Sequence, residues 1–205
     1  MKRSYDSAAT LNTPGTLTPR DPRAGSPGSY RAGIGDAPRT PYPPDLDDDQ
    51  PAPLELGDLV DAVVENADWA NRRATGVVLR RVEVRLCRLT GAELGEAALT
   101  DVTFADCRLD LAGLRFARLE RVVFRDCRMA ECDLHEASLE DVSFERCELR
   151  EARFSGARIG RVAFAGCDLL GAAGVEALRG ARMPWADVLA NAPAFAAALG
   201  IEIVD

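Results

Sequence analysis

Apolar residues recur at every fifth position from residue 62 to residue 171. The third residue of each block of five is apolar throughout, as in Val64, Phe104 and Leu109. The first residue of each block is Ala, Val or Cys, and Arg72 is the exception. The chain therefore contains 22 consecutive blocks with two apolar or small positions each.

A period of five fits neither an α-helix nor a straight β-strand. Five steps of about 100° rotate a helix face by about 140°, and in a strand an odd step exchanges the two faces. A chain that turns a corner every five residues keeps the first and third positions of each block inside. Four corners close a square, which explains why Val, Phe and Cys of residues 102–107 return together in residues 122–127. The pattern predicts stacked four-sided coils of twenty residues.

Three regions follow from this pattern. Residues 1–53 are rich in proline and poor in large apolar groups, so we expect a disordered tail. Residues 54–172 form an all-β solenoid of about five coils, roughly 26 Å long at about 4.8 Å per coil. Residues 173–205 form a C-terminal helical cap, because an open coil end exposes strand edges and apolar columns.

Several blocks resemble the consensus A-(D/N)-L-x-x of the pentapeptide-repeat family. Residues 67–71 read ADWAN, and residues 132–136 and 167–171 read CDLHE and CDLLG, with Cys in place of Ala. The resemblance covers residues 57–172 and implies a right-handed quadrilateral β-helix. A leucine-rich repeat is the rival at a period of twenty, but the sub-period of five and the missing Asn signature argue against it.

The cap contains four apolar residues that we single out. Pro184 suits the first turn of a helix, and Pro193 suits the start of a second short helix. The candidate contacts are Trp185, Val188, Leu189 and Phe195. They close the last coil, or they form a homodimer contact, since in gyrase-binding members of the family a C-terminal helix forms a dimer.

The cysteines are interpreted as core fillers. Five of them are spaced twenty apart and a sixth lies on the next face: Cys87, Cys107, Cys127, Cys147 and Cys167, with Cys132. A straight column of thiols does not converge as zinc requires, and parallel Cβ atoms about 4.8 Å apart exceed the usual disulfide spacing of about 3.8 Å. We therefore predict neither a metal nor a cofactor.

Charge patterning bears on the outer surface. Asp101, Arg121, Asp141 and Arg161 alternate in sign at twenty-residue spacing, which predicts an ion-pair ladder along one corner. Arg88, Arg108 and Arg128 stack with like charge, either as an anion-binding strip or as a solvated face. The net charge of −8 argues against direct nucleic-acid binding.

A few outward positions are apolar. Leu111, Phe116 and Val123 form a candidate partner surface. The alternative is that they are isolated exposed groups of the kind found on most proteins.

The sequence favours a non-catalytic scaffold that binds a protein partner along a solenoid face. A single histidine, His135, and the lack of a phosphate-binding loop argue against an enzyme. With no signal peptide or membrane-spanning run, we expect a cytoplasmic, bacterial protein.

The alternative comes from the family resemblance. Some members bind DNA gyrase or topoisomerase IV as mimics of DNA and protect bacteria from quinolones, which suggests quinolone or toxin protection here. A duplex carries about one charge per 1.7 Å. Residues 82–170 hold 17 acidic side chains against 13 Arg, and no face is strongly acidic.

Overall fold

The structure, a computed structural model, describes residues 37–45 and 56–204. Most of the regular structure is β, followed by short helices near the C-terminus. The strands are β1 (Leu59–Glu65), β2 (Val78–Arg85), β3 (Ala98–Ala105), β4 (Arg118–Arg125), β5 (Ser138–Glu145), β6 (Arg158–Ile159) and β7 (Val162–Ala165). A 3₁₀-helix (Val175–Leu178), α1 (Trp185–Ala190) and α2 (Ala192–Ala198) follow.

The strands stack in sequence order as one parallel sheet. β1 to β5 pair consecutively, and β6 and β7 both pair with β5. Every partner lies twenty residues away, as in Leu79 with Leu99 and Val102 with Val122. The predicted twenty-residue coil is confirmed, and the chain forms a β-solenoid of about five turns with a small helical C-terminal region.

The corners are made by left-handed residues at every fifth position. Among the described residues, seventeen other than glycine have positive φ, and all of them precede the first position of a block. Two of the four corners are β-turns, in which the N–H of Arg72 donates to Trp69 O at 3.2 Å and that of Val77 to Ala74 O at 3.2 Å. The others bend or end a strand, as Arg81 does with φ 54° inside β2. The predicted corner every five residues is confirmed.

The first and third positions of the blocks fill the interior. They are buried with three exceptions, Arg72, Ala74 and Ile159. One column is a stack of four parallel phenylalanine rings. Neighbouring ring centroids are 5.0, 5.2 and 4.8 Å apart, with interplanar angles of 6°. The rings are Phe104, Phe124, Phe144 and Phe164.

All six cysteines are buried with free thiols. In the column of five, each Sγ donates to a carbonyl of the preceding coil, as Cys107 does to Val84 O at 3.4 Å. Burial raises the pKa of Cys132 to about 12. The Cys132 thiol is therefore protonated at neutral pH and fills a small interior position.

The cap closes the last coil with a side-chain amide. Asn191, between α1 and α2, is buried, and its Oδ1 accepts from the N–H of Leu169 at 2.7 Å. Its Nδ2 donates to Cys167 O at 2.9 Å. The carboxylate of Asp187 accepts from the N–H of Gly166 at 2.6 Å. These bonds replace those that a further coil would make.

The structure places the predicted cap features at the ends of these helices. Pro184 is the N-cap residue of α1, and Pro193 lies in the first turn of α2. Gly200 follows α2 with φ 69°. No helix among the described residues is long and apolar enough to cross a bilayer.

We predict that truncating the phenylalanine stack destabilises the solenoid severely. Phe124→Ala opens a cavity between two stacked rings and should lower the free energy of unfolding by about 3–5 kcal/mol. Urea denaturation followed by circular dichroism measures the loss. Phe116→Ala is the matched control, because this ring is 47% exposed and should change stability by less than about 1 kcal/mol. Equal midpoints for both variants would contradict the stacked core.

Candidate interaction surface

One corner of the solenoid carries a column of alternating acids and arginines, here called the Asp–Arg column. Its members are Asp61, Arg81, Asp101, Arg121, Asp141 and Arg161. Each arginine donates two hydrogen bonds to the carboxylate of the aspartate twenty residues before it. From Arg121 to Asp101, Nε lies 2.6 Å from Oδ1 and a terminal nitrogen lies 3.0 Å from Oδ2. The predicted ladder is confirmed, and Asp61 and Arg81 extend it by two coils towards the N-terminus.

Two aspartates of this column are buried, whereas the sequence placed the ion-pair ladder on the outer surface. Asp101 is 6% exposed and Asp141 is 2% exposed. Buried bidentate pairs hold their geometry more firmly than the exposed pairs that the sequence suggested, because the carboxylate has lost water and depends on its partners. The column is therefore a fixed row of acceptors.

Residues 37–45, here called the N-terminal strap, lie along this column. The N–H of Arg39 donates to Asp141 Oδ1 at 2.9 Å, and that of Tyr42 to Asp101 Oδ1 at 3.1 Å. The N–H of Asp45 donates to Asp61 Oδ1 at 3.1 Å. The predicted disorder of residues 1–53 thus does not describe these nine residues; the rest of that tail, together with residues 54 and 55, lies outside the described ones.

These donors lower the pKa values of the aspartates. The Arg81 side chain, followed by the N–H of Asp45, lowers the pKa of Asp61 to about 2. For Asp101, burial opposes ionisation, but the Arg121 side chain and the N–H of Tyr42 outweigh it and the pKa falls. The Arg161 side chain and the N–H of Arg39 likewise lower the pKa of Asp141. All three carboxylates are charged acceptors at neutral pH.

A second surface lies on another part of the coils and is here called the Leu–Phe patch, formed by Leu111, Gly113 and Phe116. Leu111 is 56% exposed and Phe116 is 47% exposed, at neighbouring corners of one coil. Gly113 occupies the outward position between them, and a Cβ there would meet nothing within 4 Å. The patch therefore has two exposed apolar side chains with a half-buried glycine between them, beside which there is open space.

Polar groups border the Leu–Phe patch. The guanidinium of Arg115 lies 5.7 Å from the ring centroid of Phe116, and the His135 ring meets the same ring edge-on at 6.0 Å. Arg115 also reaches Asp133 at 3.4 Å. An exposed aromatic ring held between a cation and an imidazole, with a charged border, has the anatomy of a protein contact.

The prediction that Val123 is exposed beside these residues is wrong. Val123 points outward from β4 between Thr103 and Ser143, yet it is 6% exposed. It lies two residues beyond Arg121, next to the corner along which the N-terminal strap passes. An outward position in the repeat therefore does not guarantee exposure.

The cap residues separate into two pairs. Trp185 is 72% exposed and Leu189 is 57% exposed, one helical turn apart on α1. Val188 and Phe195 are half-buried, and Phe195 packs against the solenoid core. Phe195 thus takes the capping position, whereas a dimer contact through Trp185 stays a prediction.

Most other outward acids that the sequence could offer to a partner are paired with arginine. Each of these pairs joins side chains of neighbouring coils: Arg88–Asp68, Arg125–Glu145, Arg128–Glu148, Arg146–Asp126 and Arg150–Asp168. Arg88 and Arg128, two members of the like-charged strip, have acidic partners at 3.2 and 3.5 Å. The strip behaves as a mixed-charge surface.

Comparison with known families agrees with this architecture. Residues 77–154 match the model of a pentapeptide repeat region. This segment of the chain is therefore a pentapeptide-repeat region. It includes the stacked coils β2 to β5 and the Leu–Phe patch. Among curated proteins, none matches the sequence of the chain.

Several solved structures resemble the chain at low sequence identity. QnrB1, a plasmid-mediated fluoroquinolone resistance protein, is 21% identical over 70% of this chain and 88% of its own, with a TM-score of 0.31. HetL, involved in heterocyst differentiation regulation in the cyanobacterium Nostoc sp. strain PCC 7120, is 21% identical over 62% and 66%, with a TM-score of 0.35. A protein from the Arabidopsis thaliana thylakoid lumen is 20% identical over 53% and 63%, with a TM-score of 0.29. Likeness at this level says nothing of which partner this chain binds.

Sequence reasoning missed three parts of these surfaces. Asp61 and Arg81 continue the twenty-residue spacing of the ladder and could have been found by extending it. The prolines at 38, 41 and 44, spaced by three, signalled a regular extended segment. The role of Asn191 had no signal, since nothing in the repeat pattern specifies which side chain meets the last coil.

We predict that the Asp–Arg column stabilises the protein in a pH-dependent way. Asp141→Asn should lower the free energy of unfolding by about 1–3 kcal/mol at pH 7, because Arg161 loses a charged bidentate partner. The folded-state pKa of Asp141 lies below the unfolded value of about 3.9. Its stabilisation is therefore complete above about pH 5 and is lost as the pH falls through the lowered pKa.

Urea unfolding of wild type and Asp141→Asn at pH 7, 5 and 3 tests this. The difference between the two proteins should be constant from pH 7 to 5 and smaller at pH 3. Glu65→Gln, at an exposed strand end, is the control and should match wild type throughout. A difference that grew towards pH 3 would show that the carboxylate is not stabilised by ionisation.

Proposed function

We propose that this pentapeptide-repeat protein is a non-catalytic, cytoplasmic scaffold that binds a protein partner through the Leu–Phe patch. The carrying observation is the juxtaposition of Leu111 and Phe116 at adjacent corners with Gly113 between them. A partner backbone can approach the solenoid closely at Gly113 while its side chains contact the two apolar groups.

The chemistry around the patch supports a protein ligand. Aromatic and arginine side chains dominate the binding free energy of protein interfaces, and charged residues belong at their rims. Phe116 and Arg115 are the aromatic and arginine side chains of the patch, and Asp133 is a charged residue at its border. The partner that fits presents an apolar strip flanked by mixed charge.

DNA mimicry requires a continuous run of accessible negative charge. Here the outward acids of the described coils are largely matched with arginines, and the Asp–Arg column alternates in sign. Such a surface does not reproduce the charge density of a duplex. The paired charges therefore favour the scaffold over the gyrase-directed mimic.

We predict that partner binding depends on the Leu–Phe patch. Wild type and the double variant L111D/F116D, each verified as folded by circular dichroism, are immobilised and challenged with bacterial extract under crosslinking. A partner retained by wild type should bind the variant about thirtyfold more weakly, since two central apolar contacts carry about 2 kcal/mol. L86D is the matched control, because Leu86 is 53% exposed at a different corner. Equal retention by all three proteins would refute the assignment of this surface.

A gyrase supercoiling assay separates the two hypotheses directly. We expect that the protein at micromolar concentration neither inhibits supercoiling nor restores it in the presence of a quinolone, because its acids are neutralised by arginine. Restored supercoiling would reinstate topoisomerase binding as the function, whether or not the Leu–Phe patch is involved.

A further inference from the structure

The Asp–Arg column presents acceptors with a regular spacing. Aspartate occurs in every second coil, so Asp61, Asp101 and Asp141 are separated by two coils. One coil rises by about 5 Å, as the ring centroids of Phe104 and Phe124 show at 5.0 Å. The three acceptors therefore stand about 10 Å apart along the solenoid axis.

The N-terminal strap presents donors with the same spacing. Its sequence is APRTPYPPD, and its bonded N–H groups belong to Arg39, Tyr42 and Asp45, three residues apart. A polyproline II helix has three residues per turn and advances about 9.3 Å per turn. One turn of such a peptide thus matches two coils of the solenoid.

The burial of the strap has the same period of three. Pro38, Pro41 and Pro44, each directly before a bonded residue, are half-buried, whereas Thr40 and Pro43 are exposed. Proline fixes φ near −65° and keeps the preceding residue out of the helical region. One face of a pre-formed extended helix therefore lies on the column, and little conformational entropy is lost when it binds.

We propose that the Asp–Arg column is a binding site for proline-rich peptides in the polyproline II conformation, and that the N-terminal strap occupies it as a displaceable ligand in cis. The site recognises the peptide backbone, because each of the three hydrogen bonds runs from a backbone N–H of the strap to a charged aspartate carboxylate of the column. The ligand must have a non-proline residue after a proline at each anchor.

Side chains at the anchors add preference for cationic and aromatic residues. The guanidinium of Arg39 lies 3.9 Å from Asp141 Oδ2. The guanidinium of Arg121 lies 5.8 Å from the ring centroid of Tyr42. The peptide class that fits is therefore Pro-Arg-x-Pro-Tyr or a close relative, bound antiparallel to the order of the coils.

The strap competes with any free peptide for the Asp–Arg column, because the strap is part of the same chain. It is an intramolecular ligand, for which effective concentrations are on the order of millimolar. A free peptide with the same contacts binds only where it exceeds that value, or where the strap is weakened. This site is at a different corner from the Leu–Phe patch, so the inference does not depend on the proposed function.

Amide hydrogen exchange on the full chain tests whether the strap is bound as described. The N–H groups of Arg39, Tyr42 and Asp45 should exchange about tenfold or more slowly than that of Thr40, for which the described part of the chain provides no acceptor. Equal exchange at all four residues would overturn the proposal.

Binding in trans is measured with a fluorescein-labelled peptide of residues 37–45 and the full-length protein. Tyr42→Pro in the protein removes the central donor, leaves the solenoid unchanged and keeps the polyproline conformation. It should bind the peptide about tenfold more tightly than wild type, because its own strap competes less well. Tyr42→Ala keeps the N–H and controls for loss of the ring.

The same peptide with proline in place of its tyrosine lacks the central donor and should not bind either protein. Asp101→Ala should abolish binding of the intact peptide, with circular dichroism confirming the fold. If the strap amides are protected but Tyr42→Pro binds the peptide no better than wild type, the strap is a fixed part of the fold and the proposed site is refuted.

Discussion

The left-handed corner at every fifth residue is the constraint on which the rest of the structure depends. Seventeen of the corners in the described coils are occupied by residues other than glycine, each at a conformational cost of about 1–3 kcal/mol. Parallel backbone hydrogen bonds to the next coil and the burial of two side chains per block offset that strain. Because the corners stay in register, each side chain lies beside its counterpart twenty residues away, and the molecule becomes a set of columns.

Within a column, the order of residue types in successive coils sets the distance between like side chains along the solenoid axis. Identical residues in successive coils give a period of about 5 Å, as in the stacked rings of Phe124 and Phe144 at 5.2 Å. Identical charges at this distance would repel one another, and alternation of Asp and Arg removes the repulsion. Alternation also doubles the period of each charge. An arrangement that stabilises coil stacking thereby sets acceptors at the pitch of a polyproline II helix.

The fold was predictable because its determinants are local and repeated. The corner period, the inward columns and the twenty-residue register all follow from the spacing of residues such as Val102 and Cys107. The surface was less predictable because it depends on which segment covers it. Val123 obeys the outward pattern and is nevertheless buried, and the strap donors act through backbone N–H groups that side-chain patterns do not report.

The cap and the N-terminal strap form different kinds of hydrogen bond with the solenoid. The cap uses a side chain to bind the solenoid backbone, whereas the strap uses its backbone to bind solenoid side chains. At the cap, the side chain of Asn191 pairs with the backbone of the last coil, is 4% exposed and lies between two packed helices. At the Asp–Arg column, the backbone of an exposed segment pairs with side chains that already have arginine partners. Removing the cap leaves strand edges without acceptors, whereas removing the strap leaves each carboxylate with its bidentate ion pair. The solenoid therefore needs the cap to end its sheet, whereas its ion pairs are complete without the strap.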